Sequence, residues 1–80
     1  MERHEIVEKL TPMAQSIFSD NNLELRDDLS AENVPNWTSL SFMQFLTEIE
    51  EQFCFKFKMM EILRLRTMGA IIDAIQKHVS

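Results

Sequence analysis

The chemistry this chain could do centres on the hydroxyls of Trp37-Thr38-Ser39-Leu40-Ser41 and on the carboxylates Glu48, Glu50 and Glu51 that follow. A nucleophilic serine needs a base within hydrogen-bond reach and donors for an oxyanion. The two histidines, His4 and His78, stand at opposite ends of the chain, and Gly69 is the one glycine. Neither a phosphate-cradling loop nor a nucleophile elbow can be written with that supply. The carboxylates fall on the water-facing side of their segment, without a pocket to raise one pKa for acid–base work. Cys54 is the sole cysteine, so an internal disulfide is excluded and no zinc pattern forms. Asp20, Asn22, Glu24, Asp27 and Asp28 form an acidic cluster, but the EF-hand template fails: its turn glycine and its twelfth-position glutamate are both missing. A solvated loop is the reading of that cluster, and catalysis is not expected of the chain.

What must position the serines is a helix running from the Thr38 region to Phe53. Phe42, Leu46, Ile49 and Phe53 recur at steps of four, three and four, so they share one face, with Phe45 at its border. Gln44, Thr47, Glu48 and Glu51 lie opposite. Leu40 and Met43 fall on the exposed side beside Ser39, and an apolar pair there reads as a docking surface rather than core. Thr38 suits the N-cap, its oxygen accepting from a free N–H of the first turn. That leaves Ser39 as the first helical residue, with its hydroxyl outside.

This segment resembles the attachment segment of acyl carrier proteins, in which Asp-Ser-Leu opens the second helix and Glu-Glu-x-Phe closes it. Ser39 falls on the modified serine, and Glu50-Glu51-Gln52-Phe53 falls on the closing motif without a gap. Trp37 resembles a subgroup of specialised carriers that read Trp-Asp-Ser. Thr38 stands where the family has aspartate; it caps nearly as well, but it lacks the charge that helps engage the modifying enzyme. Further along, Asp28-Leu29 resembles an Asp-Leu pair in the family's long first loop, and Thr67-Met68-Gly69 resembles its Thr-Val-Gly at the start of the last helix.

The resemblance implies that a phosphopantetheinyl transferase attaches a 4′-phosphopantetheine arm from coenzyme A to Ser39, and that the arm's thiol carries an acyl group as a thioester. Ser41 is the rival serine, but Ser39 alone keeps the family's spacing to Glu50, Glu51 and Phe53. Ser16, Ser19, Ser30 and Ser80 sit within a helix, by the acidic loop or at the end. Partner enzymes that transfer or activate acyl groups, in fatty-acid, polyketide or related metabolism, are expected to meet Leu40, Met43, Gln44, Glu48 and Glu51, with Glu50 at the edge and Thr38 facing the transferase. Phe45, Leu46, Ile49, Phe57, Ile62, Leu65 and Ile71 are candidates to shelter the acyl chain, or else plain core. The alternative is a small helical interaction module that is never modified.

The rest of the chain supplies the supporting elements. Residues 2 to 18 read as a first helix with an apolar stripe of Ile6, Leu10, Met13 and Ile17, widened by Val7, Ala14 and Phe18. Pro12 predicts a kink, or a restart with Thr11 as cap. From Ser19 to Trp37 no helical period survives, and Leu23, Leu25, Leu29, Val34 and Trp37 are the residues able to pin so long a loop. Cys54 to Lys58 alternates like a strand but has no second strand to pair with, so it reads as an extended linker burying Phe53, Phe55 or Phe57. A short helix is expected over Met59 to Arg64, with Met59 and Met60 where the family carries acidic residues. The last helix carries Met68, Ile71, Ile72, Ile75 and Val79, with Thr67 as cap and Lys77 and His78 suiting the dipole at its end.

These elements predict an all-α, acyl-carrier-like bundle of three main helices and a short one, as a single domain over 1–80. At 80 residues, 45% hydrophobic, 26% charged and net charge −5, the chain can build one modest core. The acidic balance argues against nucleic acid, which needs a basic footprint. Lys56, Lys58, Arg64 and Arg66 nevertheless make one region locally basic, either ordinary surface or a rim that selects a partner. Apolar runs are too short to span a membrane and the N-terminus is too polar for a signal peptide, so a cytoplasmic monomer is expected.

Overall fold

The computed structural model describes residues 1–79; Ser80 lies outside them. Four helices follow in order: α1 (Arg3–Ile17), α2 (Ser39–Phe53), α3 (Met59–Ile62) and α4 (Met68–Val79), with no strand among the described residues. The fold class matches the expectation from the apolar stripes.

Ile6, Leu10 and Ala14 form the inward ridge of α1, continued by Phe18 just past its end, each at most 1% exposed. Met13 and Ile17 are only half-buried. Pro12 sits inside one uninterrupted helix, so the chain does not restart there. A mid-helix proline costs about 3 kcal/mol by removing a donor and crowding the preceding turn. Burial of Leu10 and Ala14 on either side offsets that cost, and Glu8, whose carbonyl loses its partner, lies on the exposed side. Thr11 is no cap: its hydroxyl donates back to the Val7 carbonyl at 2.7 Å. The helix ends where Ser19 turns left-handed at φ 53, its N–H donating to Ser16 and that of Asp20 to Gln15.

The long first loop is pinned as expected by Leu23, Leu29, Val34 and Trp37, all buried, with Leu25 half-buried. Trp37 stacks on Phe18 at 5.2 Å between centroids, and the Asn36 amide donates to the Phe18 carbonyl at 2.8 Å. The loop also caps α4. The N–H groups of Met68 and Gly69 donate to the carbonyls of Leu29 and Asp27, those of Ala70 and Ile71 to the side-chain and backbone oxygens of Thr67. The open donors of the first three helical residues, Met68, Gly69 and Ala70, are thereby satisfied, and the Ile71 bond is the first of the helix's own. Arg3 reaches Asp27 at 2.8 Å and Asp73 at 2.6 Å, tying the start of α1 to loop and last helix. The hydrogen bonds it donates to Asp27 and then Asp73 raise the already high pKa of that guanidinium.

Helix α4 buries Met68, Ile71, Ile72, Ala74 and Ile75, and leaves Val79 half-buried. Helix α3 is shorter than the expected Met59–Arg64 span. It closes at Ile62 because the N–H groups of Arg64 and Leu65 bond three residues back, tightening the chain into a turn. Of the linker phenylalanines Phe57 is buried and Phe55 half-buried, as is Phe53 at the end of α2.

Candidate functional site

The site begins at the cap of α2. Thr38 is extended (φ −114, ψ 175), and its Oγ1 accepts the N–H of Ser41 at 3.2 Å, as its sequence position predicts. Ser41 returns the bond: its Oγ accepts the Thr38 N–H at 2.8 Å. The same Oγ donates to the Asn36 carbonyl at 2.7 Å, and Ser41 is only 8% exposed. The Ser41 hydroxyl is therefore committed to holding the loop against the helix start. Ser39, two residues earlier, is exposed, and no hydrogen bond engages its side chain among the described residues.

The two serines thus divide the work. One hydroxyl is structural and one is available. Sequence reasoning identified Thr38 as cap but missed the reciprocal Ser41 and its bond to Asn36. The Thr-x-x-Ser spacing, a capping box with serine in place of the usual Glu or Gln, was the signal that could have found it. The first turn of α2 contains no acidic residue, and the N–H groups of Ser39 and Leu40 take no protein acceptor. An anionic ester on Ser39 would meet the positive end of the helix dipole, with no carboxylate in that first turn.

Beyond Ser39, Leu40 (71% exposed) and Met43 (47% exposed) stand out from the surface with Gln44, Glu48 and Glu51. These five border one shallow cleft with Ile17 and Thr47. Glu50 differs. It is half-buried, and its carboxylate accepts the Phe57 N–H at 2.8 Å, so it fastens the linker that follows the helix. The chain leaves α2 through Cys54 in the left-handed region at φ 59.

On the inner side the apolar face is centred differently from the sequence expectation. Phe45 and Ile49 are fully buried and Leu46 nearly so, whereas Phe42 and Phe53 are half-buried. Phe45, placed at the border by spacing alone, is at the centre because Phe18, at the end of α1, meets it edge-on at 5.4 Å. Of the candidate acyl-shelter residues, Phe45, Leu46, Ile49, Phe57, Leu65 and Ile71 lie in the packed core and Ile62 packs against it half-buried. Leu65 reaches a cleft of about 330 Å³ between α3 and α4, and another of about 470 Å³ beside Trp37 and Phe42.

His78 lies in the last turn of α4 and is not a lone charge at a helix end. Its ring stacks on Phe55 at 4.3 Å, and Nε2 lies 2.8 and 2.9 Å from the two Glu61 oxygens. Glu61 also accepts the Lys58 N–H at 2.8 Å. That backbone bond first, and His78 second, hold the Glu61 carboxyl below its ordinary range. The cluster fastens α3 to α4 and is distinct from the serine site.

The family model described as phosphopantetheine attachment site matches residues 37–75, from Trp37 through all of α2 and α3 into α4. Among solved structures, the chain is similar to the holo acyl carrier protein from Geobacter metallireducens, determined by solution NMR. The two are 30% identical over 89% of this chain and 82% of that one, with a TM-score of 0.82. No curated protein matches.

Proposed function

The chain belongs to the acyl carrier protein family, with covalent 4′-phosphopantetheine as its cofactor, and we propose that Ser39 is the residue that holds this arm. The observation that carries the assignment is the contrast within the first turn of α2. The Ser39 hydroxyl is exposed and unengaged, whereas the only other serine of that turn is buried and bonded to Thr38 and Asn36.

Attachment asks little of the carrier. A phosphopantetheinyl transferase needs a reachable hydroxyl on a firmly held turn. Thr38, Ser41 and Asn36 hold that turn, and the open N–H groups of Ser39 and Leu40 favour the phosphodiester once it forms. When bound, the arm supplies a thiol that carries an acyl group as a thioester. The chain's own residues present that cargo, and the reactions belong to partner enzymes, so we read the protein as a carrier and not a catalyst.

Those partners, acyl-transferring or acyl-activating enzymes of fatty-acid, polyketide or related metabolism, dock on Leu40, Met43, Gln44, Glu48 and Glu51. Two exposed apolar side chains give contact area, and the carboxylates steer basic patches toward Ser39. Glu50 contributes by fixing the linker. An acyl chain drawn into the bundle would enter at Leu65, where the cleft between α3 and α4 already opens.

The test is intact mass. Wild type incubated with coenzyme A, magnesium and a promiscuous transferase gains one phosphopantetheine, and Ser39→Ala gains none. Modification persisting in that variant would move the site elsewhere. Failure of the wild type to gain mass with any transferase would favour an unmodified interaction module.

A further inference from the structure

A second surface carries chemistry opposite to that of α2. Helix α3 is one turn long, yet Met59, Met60 and Leu63 at its edge are 71%, 66% and 63% exposed. Three large apolar side chains in five residues, left in water, form a patch that folding alone does not explain. Lys56, Lys58, Arg64 and Arg66 surround them in sequence, and all four are exposed. Lys56, Arg64 and Arg66 enter no ion pair among the described residues. Glu61 is the one carboxylate within residues 56–66, and its oxygens are engaged by His78 and the Lys58 N–H. Asp73, which lines the same cleft as Met60 and Arg64, is paired with Arg3.

This basic, methionine-bearing patch continues from the acidic face of α2. Glu51 borders the cleft shared by Leu40 and Met43, and it also borders the neighbouring cleft lined by Cys54, Phe55 and Lys56. Met60 and Arg64 then line the cleft between α3 and α4. The acidic face of α2 and the start of the basic stretch therefore adjoin at Glu51 and Lys56.

From this arrangement we infer that the residue 56–66 region docks a protein partner whose contact surface presents carboxylates around an apolar socket, while the same partner offers cations to α2. The inference rests on α2 being the docking face proposed above. Apolar side chains ringed by charge give contact area, and the complementary sign fixes orientation and excludes partners that are basic throughout. An anionic membrane is the less suited occupant. One turn of helix presents too little amphipathic length, and the adjoining carboxylates Glu48 and Glu51 would be driven against the lipid charge.

The test uses full-length protein labelled at the methionine methyls and followed by NMR. The probes are a helical peptide with leucines on one face and glutamates on the other, its lysine counterpart, and vesicles of phosphatidylglycerol. The glutamate peptide shifts the Met59 and Met60 methyls and spares Met43, and Arg64→Glu with Arg66→Glu weakens it at least tenfold. The lysine peptide shifts Met43 instead. The inference is overturned if the glutamate peptide leaves Met59 and Met60 unmoved, if it shifts Met43 equally, or if only the vesicles move them. The Ser39 assignment is read separately by mass: a carrier that gains its arm while the glutamate peptide fails refutes only the second surface. A lysine peptide that spares Met43 removes instead the α2 docking premise.

Discussion

Ser41→Ala separates the structural serine from the reactive one. The substitution removes the Oγ that donates to the Asn36 carbonyl at 2.7 Å and accepts the Thr38 N–H at 2.8 Å, in a residue only 8% exposed. A hydrogen bond contributes about 1 kcal/mol net, and a stranded buried partner costs about 1–3 kcal/mol. Asn36 and Thr38 are themselves exposed, so water recovers part of the loss. Alanine's helix propensity returns about 0.5 kcal/mol. The balance is a destabilisation of about 1–2.5 kcal/mol, a large share of the roughly 4–12 kcal/mol available to a domain this size. Ser39→Ala loses no such bond and stays within about 0.5 kcal/mol of wild type. Urea unfolding measures both, and intact mass after transferase treatment completes the comparison. Ser41→Ala is less stable but gains the arm, whereas Ser39→Ala is stable and gains none. A Ser41→Ala protein as stable as wild type, or folded yet unmodifiable, would refute the division of roles.

Gly69→Ala tests the loop's hold on α4. A Cβ there would lie 2.9 Å from the Asp27 Cβ and 3.1 Å from its carbonyl oxygen, in a segment anchored by Arg3, so crowding of about 1–3 kcal/mol outweighs alanine's gain of about 1 kcal/mol in helix propensity. Chemical denaturation should show net destabilisation; an equal or higher midpoint at unchanged slope would show the loop yields freely. For Glu61, the folded-state carboxyl lies below its ordinary 4.5, so its stabilisation is present above that value and is lost as pH falls through the folded pKa. Acid unfolding should therefore be shallower in Glu61→Gln than in wild type below pH 4.5, and parallel curves would dissociate this carboxylate from acid stability. Thr38→Asp keeps a cap oxygen for the Ser41 N–H and adds charge at the helix start, so stability changes by at most about 1 kcal/mol while the transferase rate rises. Equal rates across several transferases would show that the missing charge is not what limits engagement.

Local spacing alone determined which residues share a helix face and where α2 and α4 take their caps. The helical period is a property of the chain itself, so the stripe of α4, the Thr38 and Thr67 caps, and the exposure of Leu40 and Met43 were all legible. So was a bundle with a pinned first loop. Which part of a face is deepest depends on the neighbour that covers it. Phe45 became the centre of α2 through Phe18, and Pro12 was absorbed because the turns around it are packed. The sequence placed Ser39 at the head of its helix, but only the folded loop made Ser41 unavailable, by bringing the Asn36 carbonyl onto its hydroxyl. The pairing of His78 with Glu61 and the seating of Gly69 on Asp27 join segments far apart in the chain. No periodicity encodes such contacts, because they depend on where the helices cross.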